Sequence, residues 1–124
     1  MPQRDLRQYL YDITHASDLV RQFTDGRTLD DYVADPMLRS AVERQFEIIG
    51  EALNQACRLD PTLAERISYS QQIIAFRHRL IHGYSGMADN VVWGIVEGYL
   101  PTLKREVAGL LGGAESRSSE VGGC

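Results

Sequence analysis

The chain has 124 residues, of which 44% are hydrophobic and 24% charged, which is typical of a globular protein and not of a disordered, collagen-like or membrane protein. This length predicts one folded unit with one core. The formal net charge of −4 disfavours capture of nucleic acid by the overall field of the protein, so any RNA site must be local. Lys104 is the only lysine among 13 cations, and the arginines suit phosphate or carboxylate partners.

The cysteines and the N-terminus indicate the compartment. Cys57 falls in an apolar helical pattern and Cys124 is the last residue of a polar stretch, so the two do not suggest a disulfide framework. The first residues lead into an amphipathic pattern without the apolar core of a signal peptide, and no apolar run reaches membrane-spanning length. We expect a cytoplasmic protein without membrane contact.

The first two long helices are predicted by apolar spacing and by end signals. Between residues 6 and 23 apolar residues recur on one helix face, and Gly26 follows as a C′ residue. Asp35 and Pro36 supply an N-cap and a first-turn proline for a second helix to about Arg58. The core-facing side of this helix carries Leu38, Val42, Gln45, Phe46, Ile49, Leu53, Ala56 and Cys57.

The next segment predicts a helical turn and a third helix. Asp60-Pro61 repeats the cap-and-proline signal for a short turn of helix. Ser70 can cap a further helix that runs to about Ile81 or His82, and Gly83 ends it.

The last helix begins near Asp89 or Asn90, and Pro101 should kink it because proline cannot donate to the Glu97 carbonyl. From Gly112 the composition turns to Gly, Ser and Glu, which predicts a disordered tail over 112–124. We therefore expect an all-α protein, an antiparallel bundle of four main helices with short additional helices.

The segment around residue 77 combines an apolar helix face with charged residues. At 100° per residue Arg77 falls inside the arc of Ile73, Phe76 and Leu80. An arginine directed toward the core must find an anionic or carbonyl partner, because an unpaired buried charge is costly. One interpretation is a structural ion pair with Glu47 or Glu51 of the second long helix.

His82 lies near the end of the same helix, where the dipole favours imidazolium and where a proton shuttle near neutral pH is possible. The plain alternative is a helix-end residue without catalytic role. His78 and His82 also have the i, i+4 spacing of a metal pair, but no third ligand stands out and we predict no metal site.

Two other candidate sites are weaker. Cys57, on the apolar face of its helix, is most simply a small core residue. Arg44, Glu47 and Glu51 form a polar stripe that could supply an acid and a base, although such charge pairs are far commoner on a solvated helix face.

Arg77-x4-His82-Gly83-Tyr84 resembles the Arg-x4-6-His signature of HEPN domains, specifically the Arg-x4-His-x-Tyr form of the HepT-like toxins. The resemblance covers roughly residues 3–111. It includes Glu47-Ile48-Ile49-Gly50-Glu51-Ala52 before the motif, and Val91-Val92-Trp93 with Leu100-Pro101 after it.

The sequence departs from the family pattern at two places. His78 replaces the Asn that commonly follows the motif arginine, and Ile67-Ser68-Tyr69-Ser70 lacks the Pro and Trp often found before the motif helix.

The resemblance implies a HEPN-type four-helix bundle that forms a homodimer and acts as a metal-independent endoribonuclease without a cofactor. His82 would move protons during attack of the RNA 2′-hydroxyl on the adjacent phosphate, since its ordinary pKa is about 6.5. Arg77 would bind the charge that develops on the phosphorane. His78 and Arg79 would contact the RNA, with tRNA and mRNA both open as substrates.

The resemblance also implies a partner, an MntA-like nucleotidyltransferase antitoxin that would AMPylate Tyr84. An adenylate beside the motif would block RNA by charge and volume. The plain alternative for Tyr84 is a packing residue after a glycine cap. Two other functions stay open for the whole chain: a non-catalytic helical partner that binds substrate or nucleotide for a nucleotidyltransferase, and a helical dimerisation module.

Overall fold

The computed structural model describes the backbone of residues 5–81 and 89–123, and the side chains of residues 5–81 and 89–112. Within these ranges the chain forms seven α-helices and one π-helical segment, with no strand, which confirms the all-α prediction. The helices are α1 Leu6–Thr24, α2 Leu29–Ala34, α3 Pro36–Leu59, α4 Leu63–Arg66, α5 Ser70–Ile81, α6 Asp89–Gly94 and α7 Leu100–Gly123, and the π-helical segment is Ile95–Tyr99.

Side-chain caps set the starts of the first helices. The Asp5 carboxylate accepts from the Gln8 N–H at 2.9 Å, and α1 ends before Gly26, whose φ of 71° is the left-handed conformation that glycine tolerates. The Asp35 carboxylate accepts from the N–H groups of Met37 and Leu38 at the start of α3, as predicted.

The long helices pack into one bundle. Helix α1 packs against α3 and α7, and α3 packs against α5, while α2 lies against α3 and α6. The core contains two aromatic pairs, Tyr32 with Trp93 and Phe46 with Phe76, each with ring centroids 5.5 Å apart. The apolar face predicted for α3 is buried at Leu38, Val42, Phe46, Ile49, Leu53 and Ala56, whereas Gln45 and Cys57 are half-buried.

Two predicted helix starts need correction. Helix α4 begins at Leu63, two residues after Pro61, because the Asp60 carboxylate bonds the N–H and hydroxyl of Thr62 and forms a turn there. Helix α5 begins at Ser70 itself, whose buried hydroxyl donates to the Ala64 carbonyl at 3.2 Å. Ser70 therefore ties α5 to α4 instead of capping α5.

The C-terminal part also differs from expectation. Ahead of Pro101 the helix widens into the π-helical segment, where the Leu100 N–H donates to the Ile95 carbonyl five residues back. The backbone of α7 is helical to Gly123. The disordered tail over 112–124 stays a prediction. The domain limit at residue 111 stays a prediction.

None of the helices in the described part of the chain carries an apolar stretch long enough to cross a membrane.

Candidate active site

A cleft of about 270 Å³ lies where α1, α3 and α5 meet. Helix α1 contributes two residues, α3 contributes its polar stripe and two apolar residues, and α5 contributes Arg77 and Ile81. The lining residues are Tyr9, Asp12, Arg44, Glu47, Ile48, Glu51, Ala52, Arg77 and Ile81.

Arg77 lies in this cleft and is paired. Its Nη2 is 2.7 Å from Oε2 of Glu51, and the two side chains are 26% and 45% exposed. Of the two partners considered from the sequence, Glu51 makes the ion pair, while Glu47 lies 3.9 Å from Arg44. The predicted placement of Arg77 inside the apolar arc of α5 is confirmed, because its neighbours Ile73 and Phe76 are buried.

Gly50 makes this placement possible. A Cβ at Gly50 would lie 2.3 Å from Cβ and 2.9 Å from Cγ of Arg77, closer than any real contact. The stem of Arg77 therefore crosses α3 at the one position without a side chain, and its guanidinium reaches the next residue, Glu51. Gly50 appeared in the sequence only as part of a family stretch, and its packing role could not be predicted from spacing.

The charge in the cleft is mixed. Two arginines, Arg44 and Arg77, face the carboxylates of Asp12, Glu47 and Glu51 among the described lining residues. This mixed set of charges gives no overall attraction for an RNA strand, so a phosphate could bind here only through directed contacts to individual guanidinium groups.

His82 and Tyr84 lie outside the described residues, so the structure places neither. Ile81, the last described residue of α5, lines the cleft and is 46% exposed. His82 follows it directly in the sequence.

His78 and Arg79, the expected RNA-binding residues, are both exposed but do not line the Arg77 cleft. Arg79 lines a second cavity of about 530 Å³ between α5 and the α6–π segment, with Phe76, Asn90 and Tyr99. The Tyr99 ring stacks on Tyr69 at 4.1 Å and 5°. Helix α5 thus separates Arg77 from Arg79, which are about 200° apart around its axis.

Cys57 and the possible metal ligands were the weaker candidates. Burial, and then the charge of Asp60, raise the pKa of the Cys57 thiol, which disfavours the thiolate needed for a nucleophile. Among the described residues no three His, Cys, Asp or Glu side chains are grouped as metal ligands. The His78–His82 pair falls partly outside those residues.

Comparison with known proteins identifies the family. The family model described as "Ribonuclease HepT-like" matches residues 13–110. A Thermococcus cleftensis protein named "Probable ribonuclease HepT" is 35% identical over 106 residues, which cover 82% of this chain and 92% of that protein. A Methanocaldococcus jannaschii protein named "Putative RNase MJ1380" is 32% identical over 109 residues, covering 86% and 97%. No solved structure gives a significant match. With the motif arginine seated in a cleft of an all-α bundle, these matches show that the chain belongs to the HepT-like ribonuclease family.

Proposed function

We propose that this chain is a metal-independent endoribonuclease and the toxin of a toxin–antitoxin pair. The observation that carries the proposal is the position of Arg77, whose guanidinium is paired with Glu51 in an open cleft. Arg77 lies on α5, and His82 follows the last residue of that helix in the sequence. Family membership and the names of the relatives support the reaction class.

The proposed reaction needs two kinds of group. A base accepts the proton of the RNA 2′-hydroxyl while its oxygen bonds to the adjacent phosphorus, and an acid gives a proton to the departing 5′ oxygen, which leaves a 2′,3′-cyclic phosphate. His82 can serve in both roles. Arg77 binds the phosphate oxygens, on which negative charge grows in the transition state. His78 and Arg79 bind flanking parts of the RNA.

Two copies of the chain form a homodimer in this proposal, with both motifs facing one composite cleft. Regulation comes from an MntA-like nucleotidyltransferase that transfers AMP to the phenol of Tyr84. The adenylate is a bulky anion close in sequence to His82, so it would exclude the RNA phosphate by charge and by volume.

The experiment is an RNA cleavage assay with EDTA throughout, comparing the wild-type protein with Arg77→Ala and His82→Ala. Each variant should lose cleavage while its circular dichroism stays helical, because each residue acts on the transition state and not on the core. Arg58→Ala and His15→Ala are the matched controls, since both residues are exposed and neither lines the cleft.

Cleavage that needs a divalent metal would contradict the metal-independent reaction. Full activity in Arg77→Ala or His82→Ala would remove that residue from the site. A wild-type protein that binds RNA or nucleotide without cleaving any RNA would support the non-catalytic alternative.

The partner is tested by mass spectrometry after incubation with the cognate nucleotidyltransferase and ATP. The wild-type protein should gain AMP on Tyr84, and Tyr84→Phe should escape both the modification and the loss of activity. An adenylate on another of the six tyrosines would show that Tyr84 is not the acceptor.

A further inference from the structure

Glu51 holds the guanidinium of Arg77 in one direction. The contact between Arg77 Nη2 and Glu51 Oε2 is 2.7 Å, the length of a charge-assisted hydrogen bond. Glu51 also accepts from the Gln55 amide through Oε1 at 3.0 Å, one turn further along α3. Both carboxylate oxygens are therefore engaged, and the carboxylate is itself fixed in place.

The stem of Arg77 is constrained at its other end. Its Cβ, Cγ and Cδ all lie within 3.0 Å of the position that a Cβ would take on Gly50. A side chain pressed against α3 along its stem and bonded at its tip has few rotamers left.

The Nε atom shows which edge of the guanidinium is turned inward. It is buried and has no hydrogen-bond partner among the described residues. A buried donor without a partner is unfavourable. With Nε sealed against the protein, only the Nη end of Arg77 can meet a ligand in the cleft.

A second ion pair of similar exposure gives a reference. Lys104 Nζ lies 2.5 Å from Oδ1 of Asp18, with side chains 22% and 46% exposed, and neither residue lines the cleft. Pairs as exposed as these contribute little to stability. Glu51 gives Arg77 the anionic partner that a half-buried arginine requires, and in the proposed function it also adds negative charge to the cleft that receives the phosphate.

We propose that Glu51 is a positioning residue for the ribonuclease reaction, an inference that rests on the proposed function: it orients the Nη end of Arg77 toward the scissile phosphate. Orientation of this kind is worth much in catalysis, since a displacement of about 1 Å can reduce the rate about 100-fold. The negative charge of Glu51 weakens RNA binding, whereas its contact with Arg77 favours the reaction. The charge and the geometry of Glu51 therefore have opposite effects.

The test separates geometry from charge with two conservative variants. Glu51→Gln keeps an acceptor oxygen at the same reach and removes the charge. Glu51→Asp keeps the charge and withdraws the oxygens by one methylene. We expect Glu51→Asp to lose kcat by about 10-fold to 100-fold, with KM little changed, and Glu51→Gln to keep most of kcat with a lower KM. Asp18→Asn is the matched control and should change neither constant.

A second readout does not depend on activity. In a ¹⁵N-labelled protein the Nε–H of Arg77 should exchange slowly with solvent because it is buried. Slow exchange should persist in Glu51→Gln and be lost in Glu51→Asp, since only the shorter side chain releases the guanidinium.

Normal kcat in Glu51→Asp, beside an inactive Arg77→Ala, would overturn the role of Glu51 and leave the proposed function intact. Equal loss of kcat in both Glu51 variants would also overturn it, because the charge and not the orientation would then matter. Full cleavage by Arg77→Ala would overturn both proposals at once.

Discussion

Arg77 depends on a neighbour that has no side chain. Its stem occupies the space over Gly50, so the arginine can sit between two helices and still present its tip to solvent. The usual disadvantage of glycine in a helix interior, about 1 kcal/mol relative to alanine, is offset here by the close approach of α3 and α5. At the scale of single residues, the site therefore rests on packing as much as on charge.

Gly50→Ala should disrupt both packing and activity. The new methyl group would meet the first stem atoms of Arg77 at 2.3 Å, so the two helices must separate or the arginine must move. We expect a loss of about 1–3 kcal/mol in the free energy of unfolding and a strong loss of cleavage. Urea unfolding and the RNA assay measure the two effects.

Gly109→Ala is the control for that substitution. Gly109 is an exposed residue within α7 with nothing within 4 Å of its Cβ position, so alanine there should stabilise the helix by about 0.5–1 kcal/mol. A Gly50→Ala protein as stable and as active as wild type would show that the contact with Arg77 is not required.

Glu43 gives a prediction for pH. Burial, and then the charge of Asp89, raise the pKa of its carboxyl above the usual 4.5. The folded state therefore favours the protonated form, and the stability it contributes is lost as pH rises through the raised pKa. Glu43→Gln should be more stable than wild type at pH 7, and the two should converge below pH 4.5.

The measurement is urea unfolding of both proteins across this pH range, with Glu65→Gln as a control on the exposed surface of α4. A difference between wild type and Glu43→Gln that stays constant with pH would contradict the assigned cause.

At the scale of helices, the ends of α3 show how local chemistry sets boundaries. Asp35 serves two elements, because it ends α2 and its carboxylate caps α3. The Thr28 hydroxyl and Asp31 form a capping box at the start of α2, a short helix that was not predicted individually from the sequence. Its signal, Thr-x-x-Asp, was present but weak in so short an element.

Asp35→Ala should destabilise the protein by about 1 kcal/mol, because two N–H groups at the start of α3 lose their acceptor. Asp35→Asn keeps an acceptor and should lose much less. Thermal and urea unfolding of the three proteins compare them, and equal stability of Asp35→Ala and wild type would contradict the cap.

Helix α5 presents different cations to different surroundings. Arg77 faces the cleft with α1 and α3, and Arg79 faces the second cavity with Phe76 and Tyr99. If RNA crosses this helix, each arginine contacts a different part of the strand, and their effects on binding should be separable.

Arg79→Ala should weaken RNA binding and flatten its dependence on salt. Loss of one phosphate contact with single-stranded RNA reduces the slope of log K against log salt by about 0.7. Fluorescence anisotropy between low and physiological salt measures the slope. Arg58→Ala, which removes an exposed arginine outside both cavities, should leave the slope unchanged, and the same slope in Arg79→Ala would exclude a phosphate contact there.

At the scale of the whole molecule, α5 carries apolar side chains that the core of a single chain does not fully bury. Ile81 is 46% exposed, and Ile74 and Leu80 are only partly buried beside it. The proposed homodimer would cover part of this apolar surface and bring two copies of the motif together.

Analytical ultracentrifugation at micromolar concentration should therefore show a species of twice the 13.9 kDa chain mass. Ile81→Arg, at the exposed end of α5, should shift the population toward monomer. A wild-type sample that sediments only near the chain mass would contradict the dimer.

The sequence by itself determined the four main helices, the apolar face of α3 and the place of Arg77 within the apolar arc of α5. These features follow from local rules, since caps, proline and the helical period act within a few residues. The same rules placed Glu51 on a polar stripe and left two partners open for Arg77.

Only the tertiary structure decided which carboxylate meets Arg77, and that Gly50 leaves room for its stem. It also showed that Arg77 and Arg79 face separate cavities, and that the helix ahead of Pro101 widens into π geometry. These outcomes depend on the distance and angle between helices far apart in sequence. Such geometry is set by the fit of all the side chains in the core together, and no single periodic pattern contains it.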